Sequence, residues 1–140
     1  HRIELVRIKD GVRFYNDSIA SSPSRTIAGL RSFPEKVILI AGGYDKHIPY
    51  DVLGPEVCNH VKKLFLCGAT APQIRAAVEN CEGEKPEMTD CGDFESAVRA
   101  AAAAAQSGDV VLMSPASAAF DQFKNFMVRG AFFKKIVMEL

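Results

Sequence analysis

The sequence predicts an α/β fold: a mostly parallel sheet between two layers of helices, with an antiparallel β-hairpin at its N-terminal edge. Three observations carry this reading. Residues 3–8 alternate apolar and polar, Lys9-Asp10-Gly11 supplies a turn, and residues 12–15 resume the extended pattern, which together read as a hairpin. The runs Val37–Ala41, 64–67 and Val110–Met113 are continuously apolar, as strands covered on both faces must be. Helical stretches at 51–60, 71–80 and 94–106 separate them, so strands and helices alternate as parallel units require.

Taken in order, the hairpin is followed by Ser22-Pro23, a capping residue directly before a proline at the first helical position. Ile27, Ala28 and Leu30 give this short helix an apolar stripe, and its end is expected near Ser32. Thr70 is expected to cap the helix that opens with Ala71-Pro72. Residues 82–86 form a polar loop, Glu87-Met88-Thr89 a short strand, and Asp93 the cap of the next helix. The alanine run at 100–105 favours a helix lying close to the sheet. Residues 120–140 read as helical with a break around Arg129-Gly130, and Phe120, Phe123, Phe126, Phe132 and Phe133 as core.

The chain has 140 residues, 48% of them hydrophobic, which fits one globular domain that needs no metal or disulfide to fold. Seventeen Lys+Arg balance 17 Asp+Glu, so the bulk charge of a nucleic-acid binder is missing and any anion site must be local. Cys58, Cys67, Cys81 and Cys91 contain no C-x-x-C pair, and His1, His47 and His60 no H-x-x-x-H spacing, which argues against zinc and for reduced thiols. No apolar run reaches the ~18 residues of a membrane span, and the expected compartment is the cytoplasm. The chain begins at His1 and is already strand-like there, so it is expected to be a piece of something longer.

Ligands of an open parallel sheet bind beyond the carboxyl ends of the strands. The residues that follow the buried strands are Gly42-Gly43-Tyr44-Asp45-Lys46-His47, Gly68-Ala69-Thr70 and Ser114-Pro115-Ala116-Ser117. Two glycines would let backbone approach a ligand, and Lys46 offers a cation beyond them; a plain loop reads as well locally. Ser114 to Ser117 join two hydroxyls to an expected helix N-terminus, which favours an anion. Asp17, beside Asn16 and Ser18, could cap a turn or accept from a sugar hydroxyl. G-x-x-x-x-G-K-[ST], G-x-G-x-x-G and G-x-S-x-G are all missing, so the chain carries no self-sufficient catalytic set.

Three stretches, Tyr15-Asn16-Asp17-Ser18-Ile19-Ala20-Ser21, Leu39-Ile40-Ala41-Gly42-Gly43-Tyr44-Asp45-Lys46 and the block from Leu112-Met113-Ser114-Pro115 to Asp121-Gln122-Phe123-Lys124-Asn125-Phe126, occur in one order. In this the chain resembles the C-terminal, Rossmann-like domain of the Mur ligases that add D-glutamate to the peptidoglycan precursor. The resemblance implies a monomeric three-domain enzyme whose N-terminal UDP-binding and central ATP-binding domains are not in this chain. It also implies the reaction: ATP with Mg²⁺ phosphorylates the carboxylate of UDP-N-acetylmuramoyl-L-alanine, and the amine of D-glutamate attacks the acyl phosphate. The fragment alone is then expected to be inactive.

Position by position, the resemblance implies that Lys46 pairs with a carboxylate of D-glutamate, that the main chain of Phe126 helps hold it, and that Ser21 keeps a hydroxyl where threonine is usual. Arg2 and Asp17 match positions that face ATP when the domain closes, the arginine near phosphates and the aspartate near ribose, with His1 beside them. Ile19 stands where many relatives carry lysine. Ala119 stands where many carry a serine that touches the substrate carboxylate, a loss of one hydrogen bond to a charged group worth about 1.5–3 kcal/mol; Ser117, a water or a shifted pose would compensate. The alternative reading is a stand-alone Rossmann-like nucleotide or small-anion binding module, with Gly42-Gly43 and the Ser114 to Ser117 segment as its pocket.

Overall fold

The hairpin turn is set by Asp10 and Gly11, both at positive φ (52° and 78°), the two-residue geometry whose twist matches that of the flanking strands. It folds β1 (Glu4–Lys9) back on β2 (Val12–Asn16) in antiparallel register. Then follow α1 (Pro23–Leu30), β3 (Val37–Ala41), α2 (Leu53–His60), β4 (Val61–Leu66), α3 (Ala71–Glu79), β5 (Glu87–Asp90), α4 (Phe94–Ala104), β6 (Val110–Met113) and α5 (Phe126–Glu139). The structure is a computed structural model and describes residues 1–120 and 122–140; Asp121, part of the block singled out in the sequence, lies outside the described residues.

The sheet order is β1-β2-β6-β3-β4-β5, with every pair except β1·β2 parallel. Alternate residues of each central strand serve opposite faces. Leu39, Leu64, Leu66 and Leu112 pack under α1, α2 and α3 through Leu30, Leu53 and Ile74. Ile38, Ile40, Val111 and Met113 pack under α4 and α5 through Phe94, Val98 and Phe133. Both faces are therefore dry, which is why these strands read as unbroken apolar runs.

The differences from expectation are local. β4 begins at Val61, because α2 runs directly into it and Lys62 and Lys63 hide the strand pattern; Lys62 pairs at the surface with Asp109. Asp93 caps α4 as expected, accepting from the Ser96 amide at 2.7 Å. Ser22 occupies the N-cap of α1 but makes no side-chain cap bond; its hydroxyl meets Ser24 Oγ at 3.3 Å, leaving Pro23 to start the helix.

The larger correction concerns the C-terminal segment. α5 is unbroken through Arg129-Gly130 and starts only at Phe126, capped by the Asn125 side chain accepting from the Val128 amide at 2.9 Å. Gly130 serves close approach: a Cβ there would collide with the His1 ring and meet Asn16 Nδ2 at 3.0 Å. Phe133 is fully buried, and Phe123 and Phe132 pack on Phe94 with centroids 5.3 and 6.2 Å away. Phe120 is 65% exposed against Tyr44; α5 starts only at Phe126 and residues 122–125 are not helical, so the three-residue spacing defines no common helical face. Among the described residues no helix is long and apolar enough to cross a membrane.

Gly42 has φ +114°, and a Cβ there would collide with the Cys67 carbonyl, whereas Gly83, at φ +89°, faces open space. Gly83→Ala should therefore cost only the backbone penalty of about 1–2 kcal/mol. Gly42→Ala adds a clash with backbone to that penalty and should cost clearly more in urea unfolding; equal losses would mean that the loop after β3 is free to shift.

Candidate functional site at the carboxyl ends of the strands

The loops that leave β3 and β6 close on each other. Gly42 N–H donates to the Pro115 carbonyl (2.9 Å) and Tyr44 N–H to the Ala118 carbonyl (2.8 Å), and Tyr44 and Ala118 form a β-bridge. A Cβ on Gly43 would meet the Ala118 carbonyl at 2.6 Å. The paired glycines therefore let protein backbone approach protein backbone, which is the plain-loop reading of this turn and not the ligand-facing one. Ser114 and Ser117 are fully buried, and the segment between them leads to no helix, so there is no helix N-terminus at these hydroxyls. Together these findings remove the anion pocket on which the stand-alone module rested.

Ser117 Oγ lies 2.8 Å from both Tyr50 Oη and Thr70 Oγ1, and Thr70 Oγ1 accepts from the Gly43 amide at 3.0 Å. Thr70, expected as a cap, makes no cap bond to α3 and instead ties β4's loop to those of β3 and β6. Burial raises the Tyr50 phenol above its ordinary pKa, partly offset by its bonds to Ser117 and Thr70, so it stays a neutral donor. Tyr50 anchors the far end of the loop that carries Lys46, Tyr44 the near end, and Asp45 accepts from the His47 amide (2.8 Å) and Gln73 Nε2 (2.9 Å) between them. Lys46 itself is exposed on this pinned loop. Ala119 is buried and has no hydroxyl to offer, and the Ser117 hydroxyl that could have compensated is engaged internally.

On the other side of β6, Asp17 is buried, its Oδ1 accepting from the Ile3 amide (3.2 Å) and its Oδ2 from the Ser114 hydroxyl (2.7 Å). Arg2, Ile3, Asp17, Ile19, Arg25 and Ser32 line a cleft of about 260 Å³. Burial pushes the Asp17 carboxyl pKa up, against the opposing pull of Ser114, Ile3 and the nearby Arg2 charge. Two guanidinium groups and one carboxylate at an open cleft suit a phosphate-bearing sugar: cations for phosphate, a carboxylate for ribose hydroxyls. Among the described residues no group of three or more His, Cys, Asp or Glu side chains could hold a metal ion. His1 borders this side, its ring Nδ1 3.0 Å from Asn16 Nδ2 and its ring edge-on to Phe126 at 5.9 Å. Ser21 is half-buried in the turn before α1, its amide donating to the Ile19 carbonyl at 2.8 Å.

The sequence reading missed the residue that joins the two sides. Arg129 is 1% exposed; its Nε donates to Ser18 Oγ (3.0 Å), Nη2 to the Ser18 carbonyl (2.8 Å) and Nη1 to the Ser117 carbonyl (2.8 Å). Ser18 Oγ in turn donates to the Phe126 carbonyl at 2.7 Å. The signal was present, since 129, 133, 136 and 137 share one helical face and the last three are apolar.

The family model described as "Mur ligase, glutamate ligase domain" matches residues 1–117. The chain belongs to this family. It is 58% identical, over 98% of its length, to the UDP-N-acetylmuramoylalanine–D-glutamate ligase of Acetivibrio thermocellus, and 54% identical over its whole length to that of Clostridium beijerinckii. It spans about 30% of the length of these relatives. Among solved structures, a domain of a putative UDP-N-acetylmuramate:L-alanyl-γ-D-glutamyl-meso-diaminopimelate ligase from Haemophilus ducreyi matches with TM-score 0.64 at 17% identity, over 99% of this chain and 96% of that one. A murein peptide ligase from Psychrobacter arcticus matches with TM-score 0.64 at 14% identity, over 99% of this chain and 28% of that one. These two show that the fold of this Mur ligase domain is shared.

Because its folded pKa is raised, Asp17 of the Mur ligase domain contributes stability that is fully present below the ordinary Asp value of 3.8 and lost as pH rises through the raised value. The melting temperature of the wild-type chain minus that of Asp17→Asn should become more positive as pH is lowered from 7 to 4. A difference that stays flat or moves the other way would show that Asp17 is not held in a desolvated site.

Proposed function

We propose that this chain is the amino-acid-binding, nucleotide-facing domain of an ATP-dependent ligase that adds D-glutamate to UDP-N-acetylmuramoyl-L-alanine in peptidoglycan synthesis. The observation that carries the reading is the 58% identity, along nearly the whole chain, to a ligase of that name. In the full-length enzyme, a monomer of the cytoplasm, the N-terminal and central domains supply the UDP-sugar site and most of the ATP and Mg²⁺ site. ATP activates the alanyl carboxylate as an acyl phosphate, and the amine of D-glutamate displaces phosphate from it.

The residues of this chain bind and orient. Lys46, exposed on a loop pinned at Tyr44, Asp45 and Tyr50, pairs with a carboxylate of D-glutamate. The Phe126 main chain and the turn at Ser21 complete the hold, which leaves the amine clear of contacts. Ser117 and Ala119 are buried, and because the Ser117 hydroxyl is taken up by Tyr50 and Thr70, a water or a shifted pose rather than Ser117 makes up for the hydroxyl missing at 119. Arg2 and Asp17 meet the nucleotide phosphates and ribose when the domain closes, with His1 at the border, and Ile19 leaves that cleft without the extra lysine charge. Such positioning is how a domain without a nucleophile or base of its own accelerates a two-substrate reaction.

In the full-length enzyme Lys46→Ala should raise the D-glutamate KM by roughly tenfold or more, as loss of a charge-assisted contact implies, and change the ATP KM far less. Asp17→Ala should show the opposite preference. Equal effects of Lys46→Ala on both substrates would assign Lys46 to domain closure instead of amino-acid binding.

A further inference from the structure

Arg129 is bonded to both halves of the site. Through the Ser18 carbonyl and hydroxyl it holds the turn that directly follows Asp17, on the nucleotide side. Through the Ser117 carbonyl it holds the β6 loop, and through the Ser18 hydroxyl, which donates to the Phe126 carbonyl, it reaches the first turn of α5 on the amino-acid side. Arg129, Ser18 and Ser117 are all buried, so the Ser18 and Ser117 oxygens that meet the guanidinium are shielded from water. A Cβ on Gly43 would stand 3.4 Å from Nη1, so the β3 loop closes over the same group.

We propose that Arg129 is a positioning residue that couples the two half-sites: it sets the Asp17-Ser18 turn and the Ser117 and Phe126 segments in one joint arrangement, so that nucleotide and D-glutamate contacts are formed or lost together. The proposal rests on the functional reading above. Only a planar fork can serve Ser18 and Ser117 at once; a lysine in its place retains the charge but reaches one acceptor at a time and leaves the others unpaired. Ser18 is the hinge of the network, because one hydroxyl accepts from Arg129 and donates to Phe126.

The test uses Arg129→Lys and Ser18→Ala in the full-length enzyme, with Val98→Ala, a fully buried α4 residue away from the network, as a destabilised control. Each network variant should raise the KM for D-glutamate and for ATP together by about tenfold, as loss of a hydrogen bond to a charged group implies, with kcat falling less. The control should leave both within about twofold, the margin expected of a site it does not touch. A rise in one KM alone, or in neither, overturns the coupling. If Arg129→Lys does not fold, Ser18→Ala decides by the same criterion.

Amide hydrogen exchange on the 140-residue chain gives a readout that does not depend on activity. Ser18→Ala should speed exchange at Ile19 and at Arg129 together, although these amides bond to different partners, the His1 and Asn125 carbonyls. Faster exchange at only one of them overturns the proposal. Absence of D-glutamate-dependent turnover in the wild-type enzyme would overturn the functional reading, and the exchange result would still judge the coupling.

Discussion

The guanidinium of Arg129 is taken out of water at the carboxyl edge of the sheet, and a buried charge of this kind requires oxygen partners in fixed directions. Among the described residues these include the Ser18 carbonyl and hydroxyl and the Ser117 carbonyl, which belong to segments about 100 residues apart in sequence. Once they are held, much else follows. Phe126 is tied in through Ser18, α5 is placed against β1 and β2, and Gly43, which must lack a side chain because of the Ala118 carbonyl, brings the β3 loop up to the group.

This arrangement leaves two sides at the sheet edge, joined through Arg129. On one side Asp17 sits in a cleft with Arg2 and Arg25; on the other, an exposed Lys46 rides a loop whose ends are fastened by Tyr44 and Tyr50. Ser114 bonds to Asp17 and Ser117 to Tyr50 and Thr70, so the short run between them serves both sides. Ala116, inside that run, takes a positive φ of 55°, a costly conformation for a residue with a Cβ and one that the surrounding bonds hold in place.

The hairpin, the βα alternation and three of the strands were legible in the sequence because each is governed by local rules: positive φ at Asp10-Gly11, unbroken apolar runs for doubly covered strands, Asp93 as a cap. The roles of Thr70, Gly42-Gly43 and Ser114 to Ser117 were not. Hydroxyls and glycines at strand ends have the same local appearance whether they face a ligand or a neighbouring loop, and the closure of the β3 loop on that of β6 is a non-local fact. Gly130 misled for a related reason: it resembles a helix break, and only the His1 ring packed against it explains it. Arg129 was readable from its place on the buried face of α5, but its partners at Ser18 and Ser117 were not.

The most direct measurement is a crystal structure of the full-length protein with ADP and D-glutamate bound. The proposed reading predicts a D-glutamate carboxylate within ion-pair distance of Lys46 Nζ, the nucleotide ribose at Asp17, and Arg129 still joining Ser18 to Ser117 between them. D-Glutamate bound without contact to Lys46 or to the Phe126 main chain, or a nucleotide that leaves the Arg2 and Asp17 cleft untouched in a closed enzyme, would contradict it.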